Sequence, residues 1–573
     1  MRPFLHRKSW LLAGAGLAIL AGAPMAHAQD ASTELSSIEK QIRALQAELH
    51  SMKHELATKN AEIEATRRRQ MQTESELHAL PAATTTQPPQ LQQGYALLPG
   101  TTPGSYSLAK IEPPEPVLPP GTFKVRGVTV TLGGFIEATG IYRSRNEVAD
   151  VGSNFNTGIP YPNSPLYNEP EFRITSRQSR ISLNAAADPD PVTHLDAYYE
   201  TDFLGAAPTA NSVESNSYNL RIRLLYAMYE RSDLGLHILA GQDWSLVTLN
   251  TKGLEGYVAD QSVPYTIDAQ YVPGFNWARQ AQFRISKDWG KQYWLAFSVE
   301  NPQANYALGP NGAVPSSVGS VNAFNPGGSL YFSGTNYSDD IAPDFVAKAA
   351  VDEPFGHFEV FGLGRLFHDR VSFAPAGGAN YTTFGGGLGG GGIVHVIPKR
   401  LDFQTSFLIG DGIGRYGSAQ LPDATIGANG QAVPLPEISV LTGLIAHPLL
   451  NMDWYTYAGE EAVTRPATFS DKGKGYGYGS PLYSNANCNA EFGVGGACVG
   501  NTAAIWQATT GIWYKLYHSP DFGSLQLGLQ YSYTHRTALS GIGPTPKTDD
   551  NMVFFSLRLF PFQDTAPLAP PGT

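Results

Sequence analysis

Cysteine is almost absent: Cys488 and Cys498 are the only two in 573 residues, too few to staple a small fold or to supply a four-ligand zinc site. Charge is sparse as well. Asp, Glu, Lys and Arg make up 16% of the chain against an ordinary ~25%, and a formal net charge of −11 without any basic stripe interleaved with aromatics excludes a general nucleic-acid binder. Long apolar runs are missing too. Beyond the first 28 residues none reaches the ~18 needed for a membrane helix, so a mature chain that crosses a membrane must cross it as strands. Catalytic signatures are also lacking, with no H-E-x-x-H and no G-x-S-x-G. Gly387, Gly389 and Gly392 satisfy G-x-G-x-x-G, but the β-rich residues 393–396 follow in place of a helix, so a dinucleotide loop is ruled out. We expect no enzyme, no metal and no cofactor.

What is present begins with a leader. Arg2, Arg7 and Lys8 precede the apolar run 10–23, and Ala26-His27-Ala28 ends it as a small-residue cleavage site, so residues 1–28 read as a secretory signal peptide. Losing those three basic residues takes the formal charge from −11 to −14. Within residues 29–80, Leu35, Ile42, Leu49, Leu56 and Ile63 fall at one heptad position and Ile38, Leu45 and Met52 at another, the alternating three-and-four spacing of an α-helical coiled coil. Mixed Leu and Ile at both positions permits a trimer, and residues 35–80 would make a rod of roughly 70 Å. Residues 81–121 hold Pro88-Pro89, Pro113-Pro114 and Pro119-Pro120, the composition of a semi-rigid linker.

From residue 122 to 562 the period changes to two. In residues 177–188, Ile181, Leu183 and Ala185 alternate with Arg180, Ser182 and Asn184. In 194–203, Leu195, Ala197, Tyr199 and Phe203 alternate with His194, Asp196, Tyr198, Glu200 and Asp202. In 219–228, Leu220, Ile222, Leu224, Tyr226 and Met228 alternate with Asn219, Arg221, Arg223, Leu225 and Ala227. Strands of ~10 residues, apolar on one side and polar on the other, joined alternately by short turns and long polar excursions, predict a transmembrane β-barrel. About sixteen such segments occur, an even number as closure requires. Short turns at 287–290, 352–356, 398–399, 447–451 and 518–523 belong on the periplasmic side and the long loops outside. Aromatics near strand ends (Trp289, Tyr293, Trp294; Trp454, Tyr455, Tyr457; Trp506, Trp513, Tyr514, Tyr517; Tyr531, Tyr533) predict headgroup girdles. Residues 563–573 form a tail beyond the last strand. Cys488 and Cys498, separated by a stretch with Gly493, Gly495 and Gly496, are expected to pair in the long loop 464–501.

Taken together, the leader, coiled coil and linker, with LGGFI at 132–136, SRI at 179–181, LRIR at 220–223 and LAGQDWS at 239–245, resemble the DcaP-like trimeric outer-membrane porins. The resemblance implies a sixteen-stranded homotrimer in outer-membrane lipid, with a periplasmic coiled coil, passing small and often anionic organic acids. In such a barrel residues 243–275 look like the third loop that folds inward and constricts the channel, carrying Lys252, Glu255, Asp260 and Asp268. Arg180, Arg221, Arg223, Arg284 and Arg365 would line the channel with Asp196, Glu200 and Asp202. They would act either as a free cation ladder that attracts anions or as cations neutralised by cross-strand pairing with Asp196, Glu200 or Asp202. Two functional classes follow, a diffusion channel preferring anions and a structural tether or adhesin built on the rod and the external loops.

Overall fold

A computed structural model describes residues 118, 120–205, 219–328, 334–492 and 498–562, together with the backbone of 95–99 and 106–110. The expected signal peptide, coiled coil and C-terminal tail lie outside the described residues. Within the expected linker, Tyr95–Pro99 and Tyr106–Lys110 pair as an antiparallel hairpin. Among the described residues no helix is long and apolar enough to cross a membrane.

Sixteen antiparallel strands close into one barrel. They are β1 Val128–Arg143, β2 Arg180–Asp190, β3 Thr193–Gly205, β4 Asn219–Arg231, β5 Leu236–Trp244 and β6 Arg279–Trp289. Next come β7 Tyr293–Glu300, β8 Asp344–Glu353, β9 Gly356–Phe373, β10 Gly378–Ile397 and β11 Leu401–Asp411. The last are β12 Pro436–Leu449, β13 Met452–Val463, β14 Thr502–Ser519, β15 Gly523–Ala538 and β16 Lys547–Phe560. Closure is made by β16 against β1, from Met552 opposite Arg143 to Leu559 opposite Ile136. Because every wall strand then has two partners, no backbone donors are left on an edge, the condition a sheet must meet inside a bilayer. Short strands Thr122–Val125, Glu171–Thr175 and Val318–Asn322 extend the rims.

The pleat sorts the side chains. On β16, Val553, Phe555, Leu557 and Leu559 face outward and are exposed, while Phe554 and Ser556 are buried inside. The same holds for Phe283 and Ile285 outside against Gln282 and Arg284 inside on β6. An apolar exterior around a charged interior is stable only with hydrocarbon outside.

Two sequence expectations need correction. On β4 the alternation does not run through: Glu200 pairs with Leu224 but Thr201 with Ile222, leaving Arg223 as the extra residue of a bulge. Leu220 and Ile222 therefore face outward, but past the bulge it is Leu225 and Tyr229 that do, while Leu224, Tyr226 and Met228 are buried inside. The girdle also divides. Trp289, Tyr293, Trp506, Tyr514, Tyr517 and Tyr531 are exposed on the outer face, but Trp294, Tyr455, Tyr457 and Trp513 are buried and point inward. Position near a strand end does not specify a face, and only parity does.

Candidate channel interior

Residues 245–278, between β5 and β6, fold into the barrel. Leu246, Val247, Leu249, Leu254, Ile267, Val272 and Phe275 are all buried, although loops ordinarily run over the surface. On β5, which leads into this loop, Gly241 has a φ of +134° and a 2.3 Å approach to the Leu225 carbonyl, measured from where a Cβ would be, that admit only glycine. From there the loop descends along β7–β9 toward the short-turn end. The Asn250 amide donates to Glu359 (3.2 Å) and the Gly253 amide to Asp352 (3.0 Å), and Lys291 of the β6–β7 turn lies 3.8 Å from Glu255. The loop then crosses to the far wall. The Tyr265 amide donates to the Tyr457 hydroxyl (3.3 Å), the Trp513 indole donates to the Tyr265 carbonyl (2.8 Å) and the Ile267 amide donates to Gln530. Its return leg is pinned where Glu461 accepts the Gly274 amide at 2.8 Å, so backbone groups withdrawn from water are satisfied by inward-facing polar side chains of the wall.

The arginines are paired rather than forming a free ladder. Arg221 holds Asp202 through Nε (3.0 Å) and Nη2 (2.7 Å), and Arg223 donates to Glu200 (2.5 Å), to Asp202 (3.1 Å) and to the Tyr271 hydroxyl (3.2 Å). Arg180 stands 3.8 Å from Glu200. A fourth guanidinium, Arg279, lies 5.0 Å over the Trp244 ring and 5.7 Å from that of Trp277, and its Nη1 meets no acceptor. Glu200 and Asp202 both feel these charges, so the patch holds four cations against two carboxylates. Burial alone would raise the Tyr271 phenol, yet Arg223, Arg180 and Arg279 outweigh it and bring the group down to about 8.

Where β16 meets β1 the balance is reversed. Arg143 lies 3.0 Å from Glu171 and 3.9 Å from Glu147 and is also within the field of Asp268 and Asp550; with Arg173, 3.3 Å from Glu171, that makes two cations among four acidic groups. Burial lifts Asp268 above the usual carboxylate range against the pull of Arg143, and lifts Glu147 to about 8. The interior thus carries a positive patch on β2, β3, β4 and β6 and a negative one at the junction of β16, β1 and the inner loop.

The remaining residues expected in the channel are dispersed. Arg284 pairs with Asp243 (3.3 Å), and Arg365 with Asp344 (3.1 Å) and Asp423 (2.6 Å), all buried beneath loops. Asp196 is buried but takes no arginine partner among the described residues, and His194 turns to Asp188 at 2.6 Å. On the inner loop Lys252 is exposed and pairs with Asp260 at 3.4 Å, and burial raises both Glu255 and Asp260. The Asp268 carboxylate accepts the Ser153 amide at 3.1 Å. Sequence reasoning missed Arg279, Asp243, Gln530 and Glu461. The last two were readable only as polar residues at inward positions of β15 and β13. Cys488 and Cys498 are bonded, with Cα atoms 4.7 Å apart. Among the described residues no group of three or more His, Cys, Asp or Glu is arranged to hold a metal.

The fold matches that of a solved outer-membrane channel. The channel DcaP of Acinetobacter baumannii aligns with a TM-score of 0.51 at 18% identity, covering 76% of this chain and 99% of the channel. OmpT of Vibrio cholerae aligns at 0.40 with 8% identity over 77% and 99% of the two chains. An anion-selective porin from Comamonas acidovorans aligns at 0.40 with 9% identity over 76% and 99%. No protein-family model matches the chain, and no curated protein matches it in sequence.

Proposed function

We propose that the protein is an outer-membrane porin through which small hydrophilic solutes diffuse passively, anions in preference to cations. The observation that carries this reading is the wall itself: sixteen strands closed edge to edge, apolar outside and charged inside, with residues 245–278 drawn across the interior as a constriction. The fold shared with DcaP supports it. We base anion preference on the two-charge surplus around Arg180, Arg221, Arg223 and Arg279, because a charge within a Debye length of the path, ~8 Å, outweighs a screened overall charge of opposite sign, while burial favours the uncharged forms of Glu147 and Asp268 in the opposing acidic patch. The resemblance to the DcaP-like family supports a homotrimer with its coiled coil in the periplasm.

Single-channel recording in a planar bilayer, followed by a reversal potential in a salt gradient, tests the proposal. Discrete ohmic steps and a potential displaced toward that of the anion are expected. A folded barrel that gives no steps would overturn the porin reading in favour of a structural tether, and cation selectivity would overturn the preference alone.

A further inference from the structure

On the outer face, the wall from β6 to β10 is recessed. The register sets two rows across the sheet, Lys287–Leu295–Ala349–Val360–Gly390 and Ile285–Phe297–Ala347–Gly362–Leu388. In both, the centre is small. Leu295, Phe297, Val360 and Leu388 stand out with 45–69% exposure, while Ala347, Ala349 and Gly362 between them form a floor. The depression encloses about 780 Å³, and a second of about 670 Å³, sharing Ala349 and Val360, continues it along β10 and β11.

Lys287 sets the polarity of this groove. Its side chain belongs to the outward face of β6, and Nζ reaches the carbonyls of Leu234 and of Asp288 (2.8 Å) at the short-turn end. It also sits 5.3 Å from the ring of Trp289, which is half exposed. Among the described residues no carboxylate stands within ion-pair distance of it, the nearest influence being the field it exerts on Asp288. A lysine that snorkels past an aromatic belt places its charge at headgroup level. An apolar cleft leading away from that charge across β7 to β11 has the amphipathic form of a diacyl phosphate.

We propose that this groove binds a phospholipid of the periplasmic leaflet, its phosphate at Lys287 and one acyl chain laid over Ala347, Ala349 and Gly362. The inference rests on the barrel spanning an outer membrane, as proposed above. Charge complementarity selects this occupant: a second copy of the chain would have to present a carboxylate to Lys287 within an otherwise apolar face. Packing the acyl chain into a preformed recess holds it longer than the surrounding annular lipid.

The test uses the full chain reconstituted in vesicles of phosphatidylethanolamine with a minor share of phosphatidylglycerol, re-extracted into mild detergent and examined by native mass spectrometry. About one retained phospholipid per chain is expected. Gly362→Leu fills the floor without strain, since a Cβ there meets only Leu388 at 3.5 Å, and Lys287→Gln removes the charge. Each should lower retention roughly tenfold, with heat-modifiable mobility and single-channel conductance unchanged. No retained phospholipid in the wild type, or full retention in Gly362→Leu, would overturn the proposal. So would an Ala349→Cys variant that crosslinks chain to chain, which would assign the groove to a second copy. Loss of conductance in the wild type would instead count against the porin reading and leave the lipid measurement standing by itself.

Discussion

Asp202→Asn and Arg279→Gln should move ion selectivity in opposite directions. Asp202 is fully buried and accepts from Arg221, Arg223 and the Leu204 amide, so its neutralisation raises the patch from two surplus positive charges to three. Arg279 has no carboxylate partner among the described residues, so its neutralisation lowers the surplus to one. For a monovalent anion passing ~8 Å from the altered charge, Coulomb's law gives about 0.5 kcal/mol if the interior behaves as bulk water. At an effective dielectric of ~20 it gives about 2 kcal/mol, so the local anion concentration changes between roughly twofold and thirtyfold. A hydrated constriction places the result toward the lower end. Stability discriminates the two variants further. Removing one partner of a buried ion pair costs about 3–5 kcal/mol, so Asp202→Asn should melt at lower temperature, whereas Arg279→Gln breaks no ion pair among the described residues and loses contacts with Trp244 and Trp277 and the longer-range field on Tyr271. The assay is the reversal potential in a salt gradient, with heat-modifiable mobility as the check on folding. If both folded variants keep the wild-type potential, or shift it the same way, these charges brace the wall and do not act on permeating ions.

Excising residues 251–270 and joining the ends with a short glycine linker should raise single-channel conductance severalfold, since these residues cross the interior; unchanged conductance would place the constriction elsewhere. Intact-mass analysis after alkylation without reductant should find Cys488 and Cys498 unmodified, and two alkyl groups would refute their bond in the native protein. Glu147 gives a pH dependence. Burial holds its carboxyl at about 8, above an ordinary 4.5, with Arg143 opposing and Asp550 assisting. The fold therefore favours the protonated form, and this stabilisation is complete below pH ~4.5 and lost as pH rises through ~8, by a few kcal/mol at most. Thermal melting should drop between about pH 4.5 and pH 8, and Glu147→Gln should flatten the drop; a variant with the wild-type slope would contradict this. If residues 29–80 form the proposed coiled coil of a homotrimer, deleting them should lower the thermal stability of the oligomer while leaving a folded barrel, and a deletion that melts like the full chain would refute that role.

The barrel was legible in the sequence because the pleat is local. Two-residue alternation, turn chemistry and the even segment count need no knowledge of what lies across the sheet, and the sixteen wall strands fall where those signals place them. The inward positions of Arg180, Arg221, Arg284 and Arg365 follow from the same parity. Their partners do not. Arg365 meets Asp423 from another loop, and the β4 bulge that makes Arg223 an extra residue appears only once β3 and β4 are in register. The inner loop was visible as a long insertion between strands, but its path depends on side chains far away in the chain, with Ile267 held by Gln530 and Gly274 by Glu461. Periodicity specifies which face a residue takes only until a bulge such as that at Arg223 resets it. Only closure of the sheet, which brings residues hundreds of positions apart into one interior, determines what each inward charge meets there.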